Sequence, residues 1–260
     1  MPISLGAVSN ALTINSTALS CPFTHAAGRS MLAFIVARVA STGDGISSVS
    51  FNGSAMTQVI DSGPAGAATP FIRSSLWRMD DPGAASATLV VTGSATLNGA
   101  MVAVLDVDGA QTGASMIEAQ NSAVANSAAS ISVTLTTLAP NSLILAFAGR
   151  SPGANFVSMT CSAPLLELFE DTGTNVAGYN TQIDVGSYQT TTSGVGNYKF
   201  IALGASTKLA VVAAAIATAT AAQQSFTASG LAILSAYGAI SPIICPVGFA
   251  PPIFRCPQST

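Results

Sequence analysis

Short runs that alternate polar and apolar residues, or are apolar throughout, follow one another along most of the chain. They are SMLAFIVARV (30–39), SVSFNG (48–53), TQVID (57–61), RSSLWRM (73–79), ATLVVTG (87–93) and GAMVAVLDV (99–107). The theme returns in SISVTLTTL (130–138), NSLILAFAG (141–149), FVSMTC (156–161), LLELFED (165–171), NTQIDVGSYQT (180–190) and KLAVVAAAIAT (208–218). Gly, Pro, Asn, Asp or Ser bounds each run. A period of two sends successive side chains to opposite faces, so these runs predict β-strands joined by turns, and an all-β fold.

The two series echo each other. Leu32 to Phe34 matches Leu145 to Phe147, Val49-Ser50-Phe51 matches Val157-Ser158-Met159, and Asp61-Ser62-Gly63 parallels Asp171-Thr172-Gly173, at an offset of about 110 residues. This predicts an internal duplication with halves of about 1–110 and 115–220. Such halves build either two small sandwiches or the two parts of one. The expectation is one jelly-roll-like antiparallel β-sandwich over residues 1–220.

From about Thr220 the character changes. Residues 221–260 form an apolar, Pro-rich tail in which Pro242, Pro246, Pro251 and Pro252 forbid a continuous helix or a central strand. The prolines argue against a membrane span, which needs about 20 apolar residues in an internally satisfied helix. The expectation is an extended arm that lies in a groove on a neighbouring subunit, with Ile243, Ile244, Phe249, Ile253 and Phe254 making the subunit contact.

Composition sharpens this picture. Hydrophobic residues make up 49% of the 260 positions, enough for a sizeable core, whereas only 7% are charged. Soluble domains carry about a quarter, so the polar surface here must come from Ser, Thr, Asn, Gln and Gly. A surface so poor in charge favours association, and burial against copies of the same chain is the simplest way to accommodate it. The net charge of −3, without a basic run, offers no footprint for nucleic acid. The N-terminus MPISLGAV lacks the basic and apolar regions of a signal peptide, so synthesis in the cytoplasm is expected.

Candidate chemistry is sparse. The four cysteines, Cys21, Cys161, Cys245 and Cys256, form no CxxC pair and have no His beside them, so no metal site is expected. Cys245 and Cys256 in the tail are candidates for a crosslink that locks an assembly. His25, the single histidine, has no carboxylate near it in sequence and is expected to be a structural or surface residue. Asp80-Asp81 precede Pro82-Gly83, a turn signature. Glu167 and Glu170 fall on opposite faces of a regular strand, so they are not expected to converge. Asp106 and Asp108 before Gly109 have the spacing of a calcium loop but lack its further oxygen ligands. No nucleophile elbow or phosphate-binding loop occurs. No catalytic residue and no cofactor are therefore expected. Aromatic rings remain a means of meeting a sugar or a subunit: Trp77, the single tryptophan, which also reads as a half-buried strand residue beside Leu76 and Met79, and Tyr179, Tyr188 and Tyr198, which lie among Asn, Gln, Thr and Gly, are the candidate patch.

The succession GRSMLAFIVAR, SVSFNGSAMTQV and SSLWRMDDPGAASATLVVTGSATLNGAMVAVLDVDG, continued by IEAQNSAVANSAASISVTLTTLAPNSLILAFAG, resembles a β-sandwich module that recurs in bacteriophage structural proteins and some bacterial surface proteins. The resemblance covers roughly residues 3–220 and implies location in a virion. The function it implies is that of a non-enzymatic subunit for capsid decoration or linking, or of a collar or fibre, with other virion proteins as partners. The alternative is a carbohydrate-binding or adhesin module on a phage tail or bacterial surface that contacts host surface glycan.

Overall fold

The computed structural model describes residues 2–151, 158–171, 181–203 and 207–219. Nine strands precede a short 3-10 turn at Gly113–Met116: β1 (Ser4–Thr13), β2 (Ser16–His25), β3 (Ser30–Val39), β4 (Ile46–Phe51), β5 (Ser54–Ala55), β6 (Thr57–Asp61), β7 (Phe71–Met79), β8 (Ala85–Leu97) and β9 (Gly99–Asp108). Eight follow it: β10 (Ile117–Ala128), β11 (Ser130–Thr137), β12 (Leu143–Ser151), β13 (Met159–Cys161), β14 (Leu166–Asp171), β15 (Gln182–Gln189), β16 (Gly194–Ala202) and β17 (Thr207–Ile216). All ladders between these strands are antiparallel.

In the first half, a five-stranded sheet ordered β1-β9-β3-β7-β6 faces a four-stranded sheet ordered β2-β8-β4-β5. In the second half, β10-β17-β12-β15-β14 faces β11-β16-β13. Within each half the chain crosses back and forth between its two sheets, a jelly-roll-like path. The two five-stranded sheets thus share one strand order, the second half repeating the topology of the first.

The all-β antiparallel sandwich is as expected, and of the two arrangements that matched halves allow, the sheets pack as two sandwiches. Each half encloses its own core, built in the first around Phe23, Ile35, Phe51, Trp77 and Leu89 and in the second around Ile131, Val133, Ile144, Phe200 and Val211. A third core lies between the two five-stranded sheets and joins Leu32, Phe34, Val36 and Met101 to Leu143, Leu145, Phe147 and Val212. The result is four stacked layers. The two inner sheets are covered on both faces, which is why β3, β9, β12 and β17 are apolar nearly throughout instead of alternating. The outer strands β2 and β11 bury one face and alternate strictly from Leu19 and from Ile131 onward.

Matched positions meet where the halves touch. Phe34 and Phe147, equivalent in the repeat, pack edge to face with centroids 5.1 Å apart. Val36 and Gly149 are the next equivalent pair, and a Cβ on Gly149 would lie 2.5 Å from Val36 Cγ1 and 2.7 Å from Ser74 Oγ. Two valines would not fit there, so a large residue in one half faces a missing side chain in the other. Ser74 Oγ donates to the Ala210 carbonyl (2.9 Å), Lys208 Nζ to the carbonyls of Ala68 and Pro70 (2.6 Å each), and Gly66 N to Asn126 Oδ1 (2.7 Å), all across the same junction.

Candidate functional site

Among the described residues, one group of acidic and thiol side chains could together hold a metal ion. It lies in the second half, where the ends of β12, β13, β14 and β15 come together. Asp184, in β15, points toward the three-stranded sheet, is 0% exposed, and among the described residues has no hydrogen-bond partner on either carboxylate oxygen. Cys161 on β13 and Glu167 on β14 bring their donor atoms to it, so that Sγ and one oxygen of each acid all lie within 4.8 Å of one another. Glu170 completes the wall, accepting from Met159 N (3.0 Å) and from Gln182 Nε2 (2.8 Å).

Glu167 and Glu170 thus converge on the same side, against the expectation from a regular strand. The cause is a register break in β14: Glu167 pairs with Gly186, but Phe169, not Leu168, pairs with Val185. A β-bulge inserts one residue without a partner, and so returns residues three apart to one face.

Removal from water pushes the Asp184 carboxyl up to about 8, with Glu167 and Glu170 adding repulsion. Burial, then Asp184 and Glu167, push the Cys161 thiol up to about 11. The nearby Arg150, also buried, is lowered by desolvation while Glu170 works the other way. Burial of charge is tolerated only with compensation. A carboxyl at about 8 is predominantly protonated at neutral pH.

Register aligns the site with its counterpart in the first half. Ile35 pairs with Ser75 in the first half, and the equivalent Ala148 pairs with Asp184 in the second. Two residues on, Trp77 corresponds to Gly186. In the first half Trp77 Nε1 donates to Ser75 Oγ at 3.1 Å. In the second the donor is gone, and a Cβ on Gly186 would approach Cys161 Sγ to 3.1 Å and Leu165 Cβ to 3.1 Å. The thiol occupies the room that the absent side chain leaves.

The other candidate residues fall elsewhere. His25 is buried, with Nδ1 2.6 Å from Asp106 Oδ1 and Nε2 3.4 Å from Asp81 Oδ1. Its carboxylate partners arrive from 81 and 56 residues away, beyond what local sequence discloses. Asp106 also accepts from Ala26 N (3.1 Å) and is 1% exposed, so the calcium-loop spacing of Asp106 and Asp108 is strand alternation and not a cation loop. Asp80 and Asp81 hold turns: Asp80 accepts from Gly113 N and Asp81 from Gly83 N and Gly28 N, each at 2.9 Å.

The aromatic patch needs correction. Trp77 is 6% and Tyr198 2% exposed, both within cores, because they sit on inward positions of β7 and β16; neither offers a ring face to solvent. Tyr188 is half-buried and shares a depression with the edge of Tyr198, Thr137 and Thr190 to Thr192. Tyr179, the arm residues Ile243, Ile244, Phe249, Ile253 and Phe254, and the crosslink candidates Cys245 and Cys256 lie outside the described residues.

No protein-family model matches this sequence, and no curated protein or solved structure matches it either.

Proposed function

We propose that this protein is a non-enzymatic structural subunit of a bacteriophage virion, serving capsid decoration or linking or forming part of a collar or fibre, and acting through contacts between subunits. The observation that carries the reading is the outer face of the sheet β2-β8-β4-β5. Ser20, Pro22, Thr24, Ser48, Ser86, Thr88 and Thr92 dominate it, and the four strands contain no acidic or basic side chain apart from the inward-facing His25. Sheets that must stay apart in solution are normally protected by charge, especially lysine. A broad Ser/Thr face without charge suits packing against another subunit, where no ion has to be desolvated. Jelly-roll sandwiches recur in viral capsid and lectin domains, and that analogy of fold supports the reading without deciding it.

A catalytic role for the Asp184 cluster is disfavoured by access. Both Asp184 oxygens are buried, and a sugar or peptide bond must come within hydrogen-bond reach of an acid that acts on it. The depression formed by Tyr188, Tyr198 and the threonines favours a second reading, a carbohydrate-binding or adhesin module that meets host glycan through hydroxyl groups.

Light scattering tests the first reading, using the full chain, a version ending at Thr220, and a Ser20→Lys/Thr88→Lys variant. A defined oligomer that the lysines or the truncation reduce to a monomer is expected. A monomer in every form refutes the structural reading and moves the weight to glycan binding, which a glycan screen then tests.

A further inference from the structure

We propose that Cys161, Glu167 and Asp184 form a binding site for a zinc ion, with a water molecule or Gln182 as the fourth ligand. Three observations carry this beyond a chance gathering of acids. The first is the state of Asp184, a 0% exposed carboxylate aimed into the cluster with neither oxygen hydrogen-bonded. Leaving such a group unsatisfied is costly, and buried polar atoms find partners in the great majority of folded proteins. A cation at this point displaces the proton and satisfies the lone pairs that the protein leaves without a partner.

The second observation is the donor set. With their protons released on binding, the Cys161 thiol and the two carboxyls match the ligand types that zinc takes, at about 2.3 Å for sulfur and about 2.0–2.2 Å for oxygen. Magnesium and calcium prefer all-oxygen shells, so the sulfur selects against them. The donor atoms lie within 4.8 Å of one another, and a modest inward movement of the exposed Glu167 side chain closes the triangle around one ion. Glu167 and the half-buried Cys161 also give the ion its way in from solvent.

The third is the supporting shell. Thr160 Oγ1 donates to Glu167 Oε2 (3.3 Å), orienting that carboxylate. The fixed pair of Glu170 and Gln182 backs the site, and Gln182 Oε1, itself buried without a partner, lies two residues from Asp184 on the same face of β15. Gly186 keeps the Cys161 side clear, since any side chain there would press on Sγ. Such outer partners fix ligand orientation and tune affinity in metal centres generally.

Cobalt(II) serves as the spectroscopic probe for the zinc site, because a thiolate ligand gives a sulfur-to-cobalt charge-transfer band. The full chain, purified with chelator and then freed of it, is titrated with cobalt(II), and zinc(II) is added in competition. The expected result is one equivalent of cobalt with a charge-transfer band that zinc abolishes. A Cys21→Ser/Cys245→Ser/Cys256→Ser variant retains the band, and Cys161→Ser loses it. Asp184→Asn and Glu167→Gln, which preserve side-chain shape and so keep the fold measurable if Cys161→Ser does not, weaken binding at least about tenfold to a hundredfold each. Absence of a band in the full chain, its loss in the triple variant, or wild-type affinity in Asp184→Asn overturns the assignment.

Discussion

Gly149 is the position where the packing of the two halves can be tested most directly. In Gly149→Ala the new methyl would stand 2.5 Å from Val36 Cγ1 and 2.7 Å from both Val36 Cγ2 and Ser74 Oγ, where carbon atoms normally keep about 3.5–4.0 Å. Relief requires a shift of about 1 Å in a core that is 0% exposed at Val36, and it threatens the Ser74 bond to the Ala210 carbonyl. Overpacking of this kind costs about 1–3 kcal/mol. Val36→Ala removes two buried methyl groups, at about 0.8 kcal/mol each, and leaves a cavity, for a total of about 2–3 kcal/mol. In the double variant the methyl introduced at position 149 enters the space that Val36 vacates, although the approach to Ser74 persists. The combined loss should therefore fall short of the sum by about 1–2 kcal/mol, within the range of coupling between residues in contact. Urea unfolding of the full chain, followed by fluorescence of the single, buried Trp77, measures all three variants against the parent. Were the halves not packed through this face, Gly149→Ala in a strand would be neutral or would stabilise by about 0.4–1 kcal/mol through the unfolded chain. Strict additivity, or a stabilised Gly149→Ala, refutes the four-layer arrangement.

Two further predictions concern the buried charges. The Asp184 carboxyl, at about 8 in the folded protein and facing Glu167, Glu170 and Cys161, binds its proton more tightly folded than unfolded, so stability falls as pH rises from about 4 to about 8. With chelator present, Asp184→Asn should match the parent near pH 4 and exceed it by about 4 kcal/mol at pH 7 in urea unfolding; equal stability at both values would show that Asp184 is not strained by burial. Asp106→Ala leaves His25 without its 2.6 Å partner inside the first core and Ala26 N without its acceptor, and should cost about 3 kcal/mol or more in the same assay, whereas a loss below about 1 kcal/mol would make that pair dispensable.

Strand-forming runs with large apolar residues are legible because burial on one or both faces is written into period and content. Strands β1, β2, β10 and β16 carry no such mark. β1 (SLGAVSNALT) and β10 (IEAQNSAVANSA) are edge strands of small and polar residues whose exposure varies without strict alternation, so no periodic signal distinguishes them. β2 and β16 alternate in burial, but Pro22 in one and Gly194 and Gly196 in the other resemble breaks. The duplication is visible in matched triplets, but their count cannot tell one sandwich from two stacked ones. That difference lies in which faces of β3 and β12 meet. At the site, a regular pleat would separate Glu167 from Glu170, and the bulge at Leu168 has no signature in LLELFED. Asp184 within NTQIDVGSYQT gives no sign of full burial either, because alternation there suits an acid that faces solvent equally well.

Comparison of the two halves shows what lets an acid so poorly accommodated sit in a fold this poor in charge. The first half shows the scaffold position in its satisfied form, Ser75 capped by the indole N–H of Trp77, with the ring filling the space toward the opposite sheet. The second half differs at both residues, so the acid lacks the donor that the serine keeps and Gly186 leaves open the volume that the ring occupies. Either difference alone is unfavourable: an acid at position 75 would lie against a bulky ring with one N–H for two oxygens, and a glycine at position 77 would leave a cavity costing a few kcal/mol. Together they create a polar chamber that the Cys161 thiol and two glutamates enter from the neighbouring strands. Selection for stability alone would favour a serine or a filled space. The presence of all three donors around that chamber is the physical reason to look for an ion there, and not in the first half, where the same backbone holds only a packed core.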